Sequence, residues 1–446
     1  MSDLLSIGAS GVRAYQSALT TTSDNIANAG TPGYVRRTTS LAEIGVGSAV
    51  QLTGSGVTVA GIARAADPFR SADVRQTTSD VSRSDSGIVW MERIEDALGS
   101  RALTTRMTAF FNAATTLSSD PSADAPRRAM LEQAESVAQS FSGTIKALDD
   151  ASTNLDQTAV SVSEKISNSA ASLARINDGL ARVARGSVGE AQLLDQRDRT
   201  LDEMSEMIDI DVQFDPVGRV TVRAGAGDNP PLVHGITAST VRVWRDENSN
   251  LPVFGAMRDG KETILIPRGG STAGMVDGAQ RINDMRANVA TLAADFVGGV
   301  NAALAAGEDA KGNTGLANNA LFAIDANSRV TRVFDDPSKI AAATIGKGPR
   351  DSGNLAVLAE ARRTGAFETK VVALQSTNGS ALAARKTVAE AQGSIRDSAV
   401  DMRDAASGVN LDQEAVNLMR FQQAYQASSR VIQVARETFD AILAIR

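Results

Sequence analysis

The sequence predicts a mainly α-helical fold with a β insertion, in which the N- and C-terminal helices pair as a coiled coil. Three observations predict it: apolar residues recur every seven positions near both chain ends, long helical periods fill most of the middle, and the stretch 209–268 changes to a period of two. A seven-residue apolar repeat forms the seam of a helix that another helix must cover. We therefore expect a long antiparallel helical bundle carrying a small inserted all-β domain.

The composition limits the classes of protein that this chain could represent. Its 446 residues are too many for one compact core, and 42% hydrophobic with 22% charged residues is ordinary for a soluble protein. A net charge of −7 argues against nucleic acid as a partner, because phosphate binding needs clustered Lys and Arg. No stretch reads as a membrane span or as a cleaved signal peptide.

The first tract predicts a helix over 3–29. Its seam contains Leu5, Val12, Leu19 and Ile26, and Tyr15 lies three positions after Val12. We expect Gly30 to cap this helix in the left-handed conformation, and Pro32-Gly33 to prevent its continuation.

The middle of the chain alternates between extended and helical patterns. Residues 34–68 predict short strands with turns, 68–117 predict one helix, and 127–185 predict a longer helix. A shorter helix is expected to follow the break at 186–189, and another is expected over 275–305. Between these last two helices, alternation on either side of Asp215-Pro-Val-Gly218 predicts a β-hairpin, with further strands up to 268.

The C-terminal part predicts a helix over 352–406, in which Val388, Ile395 and Met402 keep a heptad. The repeat changes phase at Ser407-Gly408, which indicates a joint between two segments. The final seam contains Leu411, Leu418, Phe421, Tyr425, Ile432 and Phe439. We thus predict three domains: 1–40 with 407–446 as a terminal coiled coil, 41–208 with 269–406 as a helical bundle, and 209–268 as an inserted all-β domain.

Residues that could carry chemistry are few, so we predict no catalytic, cofactor or metal site. The only histidine, His234, is expected at the surface or in packing, and no cysteine is present for a zinc site or a disulfide. The stretch from Asp309 to Gly315 resembles a calcium loop but carries Lys311 where a ligand belongs, so we expect a tight turn. The charge run 196–199 predicts exposed ion pairs on a helix face, worth ~0.2–1 kcal/mol each.

Motifs at both ends resemble the bacterial flagellar axial proteins, the family of rod, hook and hook-associated proteins. The N-terminal motif residues are Asn25, Asn28, Gly33 and Tyr34, and the C-terminal ones are Asn410, Gln422 and Gln423. In the middle, Leu194-Asp-Gln-Arg-Asp198 and the glycines at 269, 270 and 274 are similar to the hook-associated members. The resemblance extends over nearly the whole chain.

The resemblance implies a structural protein at the junction between the flagellar hook and filament. Its partners would be further copies of itself, the hook protein, a second hook-associated protein on the filament side, and an export chaperone at the C-terminal helix. It also implies an extracellular location, reached by type III export without a cleaved signal peptide, and no cofactor. The terminal coiled coil would be the inner domain that polymerises through its heptads, and 209–268 would be the outer domain. The small seam residues predict ends that are loosely folded before assembly.

Other interpretations of the same patterns stay open at this point. Periodicity alone is also compatible with an ordinary intramolecular coiled coil. A protein of a different class, a secreted adhesin or host-interacting effector, would use 209–268 as a binding module. An enzyme would depend on His234 or on a carboxylate pair, and no such pair stands out.

Overall fold

The computed structural model describes residues 2–44, 56–99, 102–225 and 230–443. Most of them are helical, as the sequence predicts. The helices are α1 (Ser2–Ala27), α2 (Pro68–Gly99), α3 (Leu103–Ser119), α4 (Asp124–Arg182), α5 (Val188–Met207), α6 (Gly270–Ala305), α7 (Leu316–Asn319), α8 (Gly353–Gly365), α9 (Phe367–Ser407) and α10 (Leu411–Leu443).

The strands form five small antiparallel sheets within the described ranges. They are β1 (Arg37–Glu43), β2 (Val57–Arg64), β3 (Ile210–Phe214), β4 (Val220–Ala224), β5 (Pro231–His234), β6 (Thr237–Ala238), β7 (Thr240–Arg245), β8 (Pro252–Arg258), β9 (Lys261–Leu265), β10 (Gly307–Glu308), β11 (Phe322–Ile324), β12 (Val330–Arg332) and β13 (Ala343–Thr344). Sheet orders are β1-β2, β3-β4-β5-β6, β7-β8-β9, β10-β13 and β11-β12. The fold is therefore mainly α with a β insertion, as predicted.

Several predicted elements are confirmed and others are divided. Strands β1 and β2 confirm extended structure on both sides of 45–55, which lie outside the described residues, and β3 and β4 pair around the predicted turn. The single helix predicted over 68–117 is wrong, because α2 ends at Gly99 and α3 begins at Leu103. The helix predicted over 352–406 is likewise divided, since Ala366 adopts a left-handed φ of 46° between α8 and α9.

The long helices pack antiparallel in two pairs. Helices α2 and α9 run in opposite directions, so Asn378 donates to the Met91 carbonyl at 3.1 Å and Gln375 donates to the Leu98 carbonyl at 3.1 Å. Helices α4 and α6 also run in opposite directions, which brings Arg286 within 2.5 Å of Asp149. This arrangement covers most of the seams predicted over 127–185 and 275–305, whereas the heptad of Val388, Ile395 and Met402 on α9 stays exposed.

Phenylalanine rings form the centre of the core, although only 4% of the residues are aromatic. The Phe296 ring lies 5.3–6.1 Å from five other rings, those of Phe110, Phe111, Phe141, Phe322 and Phe367. Offset and edge-to-face pairs of this kind add to the free energy gained by burial. Buried strand residues, among them Val222 and Phe254, belong to the same continuous core as the helices.

Helix α6 is long and apolar enough to cross a membrane, and it is the one described helix that meets this test. Its buried residues include Ile282, Phe296 and Val300, which pack in the shared core. The same composition is expected of a core helix in a folded domain. We therefore interpret α6 as a core helix.

Helices α1 and α10 pack against each other, and α1 also packs against the hairpin β1-β2, outside the continuous core of the bundle. Residues 408–410 form a short non-helical link between α9 and α10, at the position where the heptad changes phase. The predicted cap at Gly30 is wrong, because the left-handed backbone lies at Gly33, with φ of 72°. A side chain at Gly33 would also come within 2.5 Å of the Arg199 side chain.

Candidate assembly interface

Helix α1 carries a buried stripe of small residues, of which Gly8 and Gly11 face α10, while Thr21 and Asn25 bond to the hairpin. Its buried residues are Gly8, Gly11, Ala14, Ala18, Thr21, Thr22 and Asn25. The larger heptad residues of α1 flank this stripe and are half-buried; they are Leu5, Val12, Tyr15, Leu19 and Ile26. Among the predicted residues of α1, Tyr15 lies against Phe421 of α10, and the buried stripe beside them consists mainly of small residues.

The small residues allow the two helices to approach closely. A Cβ atom added at Gly8 would lie 2.7 Å from Cγ1 of Ile432, and one at Gly11 would lie 2.7 Å from Oγ of Ser428. Further along, the rings of Tyr15 and Phe421 lie 6.5 Å apart. The helices are antiparallel, because the contacts move toward the start of α10 as they move along α1.

The predicted residues of α10 divide into two groups. Leu418, Phe421, Tyr425 and Ile432 are half-buried on the side toward α1. In contrast, Leu411 and Phe439 at the two ends of the helix are about half exposed. Pairing with α1 thus covers the middle of the α10 seam more fully than its ends.

A second apolar face of α10 points away from α1. Val416, Met419 and Val434 are 54–59% exposed on the side opposite Ile432, and Val431, which is 40% exposed, lies next to that side. Single exposed apolar residues are common, but a row of them along one helix marks an interaction surface. We call these four residues the outer α10 face.

Asn25 links α1 to strand β1 by hydrogen bonds. Its amide donates to the Arg37 carbonyl at 2.7 Å, and its Oδ1 accepts from the Arg37 N–H at 3.0 Å and from the Tyr34 hydroxyl at 2.9 Å. Burial raises the pKa of Tyr34, against the attraction of Arg37, so this hydroxyl keeps its proton at neutral pH. The motif residues Asn25 and Tyr34 therefore set the angle at which the chain leaves α1.

Of the other motif residues, the two asparagines make local hydrogen bonds, and the two glutamines make no side-chain hydrogen bond to the residues that the structure describes. Asn28 donates to the Asp24 carbonyl and accepts from Thr31. Asn410 caps α10, accepting from the N–H groups of Asp412 and Gln413 at 3.0 and 3.1 Å. Gln422 and Gln423 are exposed on α10. The amides of these two residues are therefore accessible to another molecule.

A buried ionic network connects the hairpin to α5. Asp195 binds Nη2 of Arg37 at 2.5 Å and of Arg64 at 2.7 Å, and Asp198 binds Arg64 at 2.9 Å and Arg197 at 2.6 Å. The exposed ion pairs predicted for 196–199 are therefore wrong in part. Helix α5 lies between the hairpin and the bundle, so the face that carries Asp195 and Asp198 is covered.

The network continues along α5 to Asp202, which lies between α2 and α9. Its carboxylate is 3.6 Å from Arg75 and 3.0 Å from Arg403. Burial raises the pKa of Asp202, although both arginines act to lower it. The three aspartates of α5, spaced three and four residues apart, thus bind arginines from β1, β2, α2 and α9 on one side of the helix.

The arginines of this network were not predicted as site residues. The only sequence signal was the motif 194–198, which pointed to family resemblance and not to burial. His234 is exposed on β5, and in the described ranges no three His, Cys, Asp or Glu side chains are placed to hold a metal ion. What the arrangement can do is hold two helices together and present an apolar face.

Comparisons with known proteins agree with this description. A family model described as the flagellar hook-associated protein FlgK helical domain matches residues 91–321, just over half of the chain. A model of the C-terminal part of the flagellar basal body rod FlgEFG proteins matches 403–445, and a flagella basal body rod protein model matches 5–34. The two rod models thus coincide with the terminal tracts.

Full-length relatives point the same way. Flagellar hook-associated protein 1 from Escherichia coli (strain K12) is 26% identical over 100% of both chains, and that from Bacillus subtilis (strain 168) is 22% identical over 96% of this chain and 95% of the other. The solved structure of the flagellar hook junction protein FlgK from Burkholderia pseudomallei matches with a TM-score of 0.51 at 18% identity, over 57% of this chain and 47% of that chain. At that identity the structural likeness shows the fold alone.

Proposed function

This chain belongs to the flagellar hook-associated protein FlgK family, and we propose that it forms the junction between hook and filament. In this proposal it is a structural protein that associates with further copies of itself, with the hook protein, and with a second hook-associated protein on the filament side. The contacts are made by the terminal helices. The chain works outside the cell, and it reaches the flagellum unfolded through the type III export channel, without a cleaved signal peptide.

The observation that carries the proposal is the outer α10 face. Pairing with α1 covers one side of α10, while Val416, Met419, Val431 and Val434 stay exposed. Covering the remaining surface of each such side chain contributes roughly 1 kcal/mol, because full burial of a Val or Met is worth ~1.5–3 kcal/mol. A row repeated in every copy favours association over a single isolated chain.

The three predicted domains enter the proposal as follows. The terminal pair, 1–40 with 407–446, is the inner polymerising part, and Asn25, Arg37 and Asp195 hold it on the bundle. The bundle surrounds the inner part, and 209–268 lies outermost. No function of the outer part is needed for the junction itself.

We further propose that an export chaperone covers α10 before assembly. Without α1, both the seam residues such as Ile432 and the outer face would be exposed to water. A soluble partner that binds both sides would prevent premature association. A peptide spanning 411–443 should then compete with the full chain for this partner.

Loss of the chain in its host tests the junction role. A strain that lacks it should assemble hooks but release flagellin into the medium, because the filament has nothing on which to start. Re-expression of the wild-type chain should restore attached filaments. Intact, attached filaments in the deletion strain would rule out the proposal.

An adhesin or effector that binds through 209–268 is the second candidate, and one observation favours it. Ile236, Ile264 and Ile266 in this part are 57–69% exposed. Removing the whole stretch would be a poor test, since Phe254 lies in the shared core. Replacing Ile264 and Ile266 with Asp is the better test. The adhesin interpretation predicts loss of host binding, whereas the junction interpretation predicts unchanged host binding and attached filaments.

A further inference from the structure

Strand β3 lies at one edge of the sheet β3-β4-β5-β6, and its outer side pairs with no other strand of the described chain. On its inner side the Asp209 carbonyl accepts from the Gly225 N–H at 2.8 Å, next to the register pairs of β3 and β4. Backbone groups of successive residues in an antiparallel strand point alternately to its two sides. The N–H and C=O groups of Ile210, Val212 and Phe214 therefore point to the open edge.

A cavity of about 480 Å³ lies along this edge, between β3 and the first turns of α2. The consecutive residues 209–212 line it, although their side chains alternate between the two faces of the sheet. Only the edge of a strand borders both faces at once, so the cavity adjoins the unpaired backbone groups. An extended peptide that binds here would add a strand to the sheet, which is a recurring mode of peptide recognition.

The cavity also offers an apolar contact and an unpaired polar group. Phe69, in the first turn of α2, is 83% exposed, the largest fraction for any large apolar side chain in the described ranges, and Phe214 across the cavity is 40% exposed. Ser79 lines the same cavity and is 2% exposed, and its hydroxyl has no hydrogen-bond partner in the described chain. A buried hydroxyl without a partner is unusual, and a polar group of a bound peptide would supply one.

The charges around the cavity select the kind of peptide. Asp73, Asp209 and Asp211 line it, and none of the three forms a salt bridge with a described residue. The one cationic side chain in the described lining, that of Arg75, lies 3.6 Å from Asp202 and is already paired. Unpaired carboxylates beside an apolar surface complement a peptide that carries Lys or Arg next to its apolar residues.

We propose that β3 is a docking edge for an extended segment of another protein. The segment pairs with the open edge of β3, places an apolar side chain against Phe69, and places a Lys or Arg side chain beside Asp211. A short edge strand that carries charge resists indiscriminate pairing, and β3 has five residues with Asp211 among them. Recognition thus depends on the matching charge. The interaction goes beyond the junction role, because it uses neither terminal helix.

Selection from a library of displayed ten-residue peptides tests this on the full chain. Peptides that bind the immobilised wild-type chain are synthesised, and their Kd values are measured for the wild type and for the variants Phe69→Ala, Asp211→Lys and Glu164→Lys. The last is the control, because Glu164 is exposed on α4, outside the cavity lining, and its substitution makes the same change of charge. Exchange of single amide hydrogens in β3 is measured with and without bound peptide.

We expect the recovered peptides to carry Lys or Arg between apolar residues. Their Kd should rise at least 10-fold in Phe69→Ala and in Asp211→Lys, and should stay unchanged in Glu164→Lys. Failure to recover such peptides would overturn the proposal, and so would Kd values that neither cavity substitution alters.

Amide exchange tests the pairing with the strand itself. Bound peptide should slow exchange of the Ile210, Val212 and Phe214 amides at least 10-fold, and should leave the Gln213 amide, which points to β4, unchanged. Binding without this protection would overturn strand addition. Displacement of the peptide by an excess of soluble Asp211→Lys chain, which does not bind the peptide itself, would assign the edge to a second copy and overturn the choice of another protein.

Discussion

Gly8 of α1 lies so close to Ile432 of α10 that a Cβ atom at Gly8 would be 2.7 Å from Cγ1 of Ile432. Contacts below 3 Å force one of the two helices to move. The next groups toward Gly8 are backbone atoms of Ser428 and Ile432, at 3.3 and 3.4 Å. The side chain of Ile432 therefore has little room in which to yield.

The substitution Gly8→Val should separate α1 from α10. Overpacking of this kind costs ~1–3 kcal/mol, so we expect amide hydrogens in the first half of α1 to exchange at least 10-fold faster. Gly393→Val in α9 is the matched control, because nothing lies within 4 Å of a Cβ at Gly393. Equal protection of α1 in both variants would show that the helices are not paired here.

Replacement of Asn25 with Ala should loosen the hairpin that follows α1. It removes the partner of both backbone groups of Arg37 and of the Tyr34 hydroxyl. Leaving buried groups without partners costs ~1–3 kcal/mol, so we expect a loss of about 2 kcal/mol in the local opening free energy of β1, measured by hydrogen exchange. Asn28→Ala loses only the local bonds to the Asp24 carbonyl and from the Thr31 hydroxyl and should change β1 much less. Similar effects of the two substitutions would contradict the role of Asn25.

The substitution Asp195→Asn should weaken the joint between hairpin and bundle. Arg37 loses its carboxylate, while Arg64 keeps Asp198. Removal of one partner of a buried ion pair costs ~3–5 kcal/mol, and we expect about 3 kcal/mol in urea unfolding followed by a probe on β2. Asp178→Asn, which breaks the exposed pair with Arg182, is the control and should leave the transition unchanged. A transition unaltered by Asp195→Asn would mean that the network does not hold the hairpin.

Asp202 should make stability depend on pH in a defined direction. Burial raises its pKa in the folded chain, so the folded state binds this proton more tightly than the unfolded state. The contribution is therefore present below the unfolded value, about 3.9, and is lost as pH rises through the raised value. Thermal unfolding between pH 4 and 7 should show a shallower decline for Asp202→Asn than for the wild type. A curve for Asp202→Asn parallel to that of the wild type would show that the raised pKa has no effect on stability.

The pairing of α1 with α10 could be predicted because it requires apolar residues at a regular seven-residue spacing in both helices. Large residues every seven positions located the facing sides of α1 and α10, although Gly8, Gly11, Ala14 and Ala18 form the buried centre of α1. A search for large apolar residues misses a stripe of small ones. The heptad of Val388, Ile395 and Met402 shows the converse, since the same spacing occurs on α9 and all three side chains are 46–58% exposed.

The ionic network and the aromatic core could not be predicted in the same way. Asp195 meets Arg37 from 158 residues away, and a charge run on a helix gives no sign of which side will be covered. Phe296 likewise meets rings from α3, α4, β11 and α9, which no local pattern relates. Such long-range contacts depend on how the elements pack, whereas periodicity reports only which side of each element faces inward.

The central claim is that the outer α10 face assembles the junction, and filament attachment measures it most directly. A strain that lacks its own copy is complemented with the wild-type chain, with the double variant Val416→Asp/Val434→Asp, or with the control variant Val160→Asp. Val160 lies on α4 and is 46% exposed, which is close to the 54% exposure of Val434. The wild type and the control should restore attached filaments, while the double variant, with unchanged helix content in circular dichroism, should release most flagellin into the medium. Attached filaments at the wild-type level in the double variant would contradict the claim.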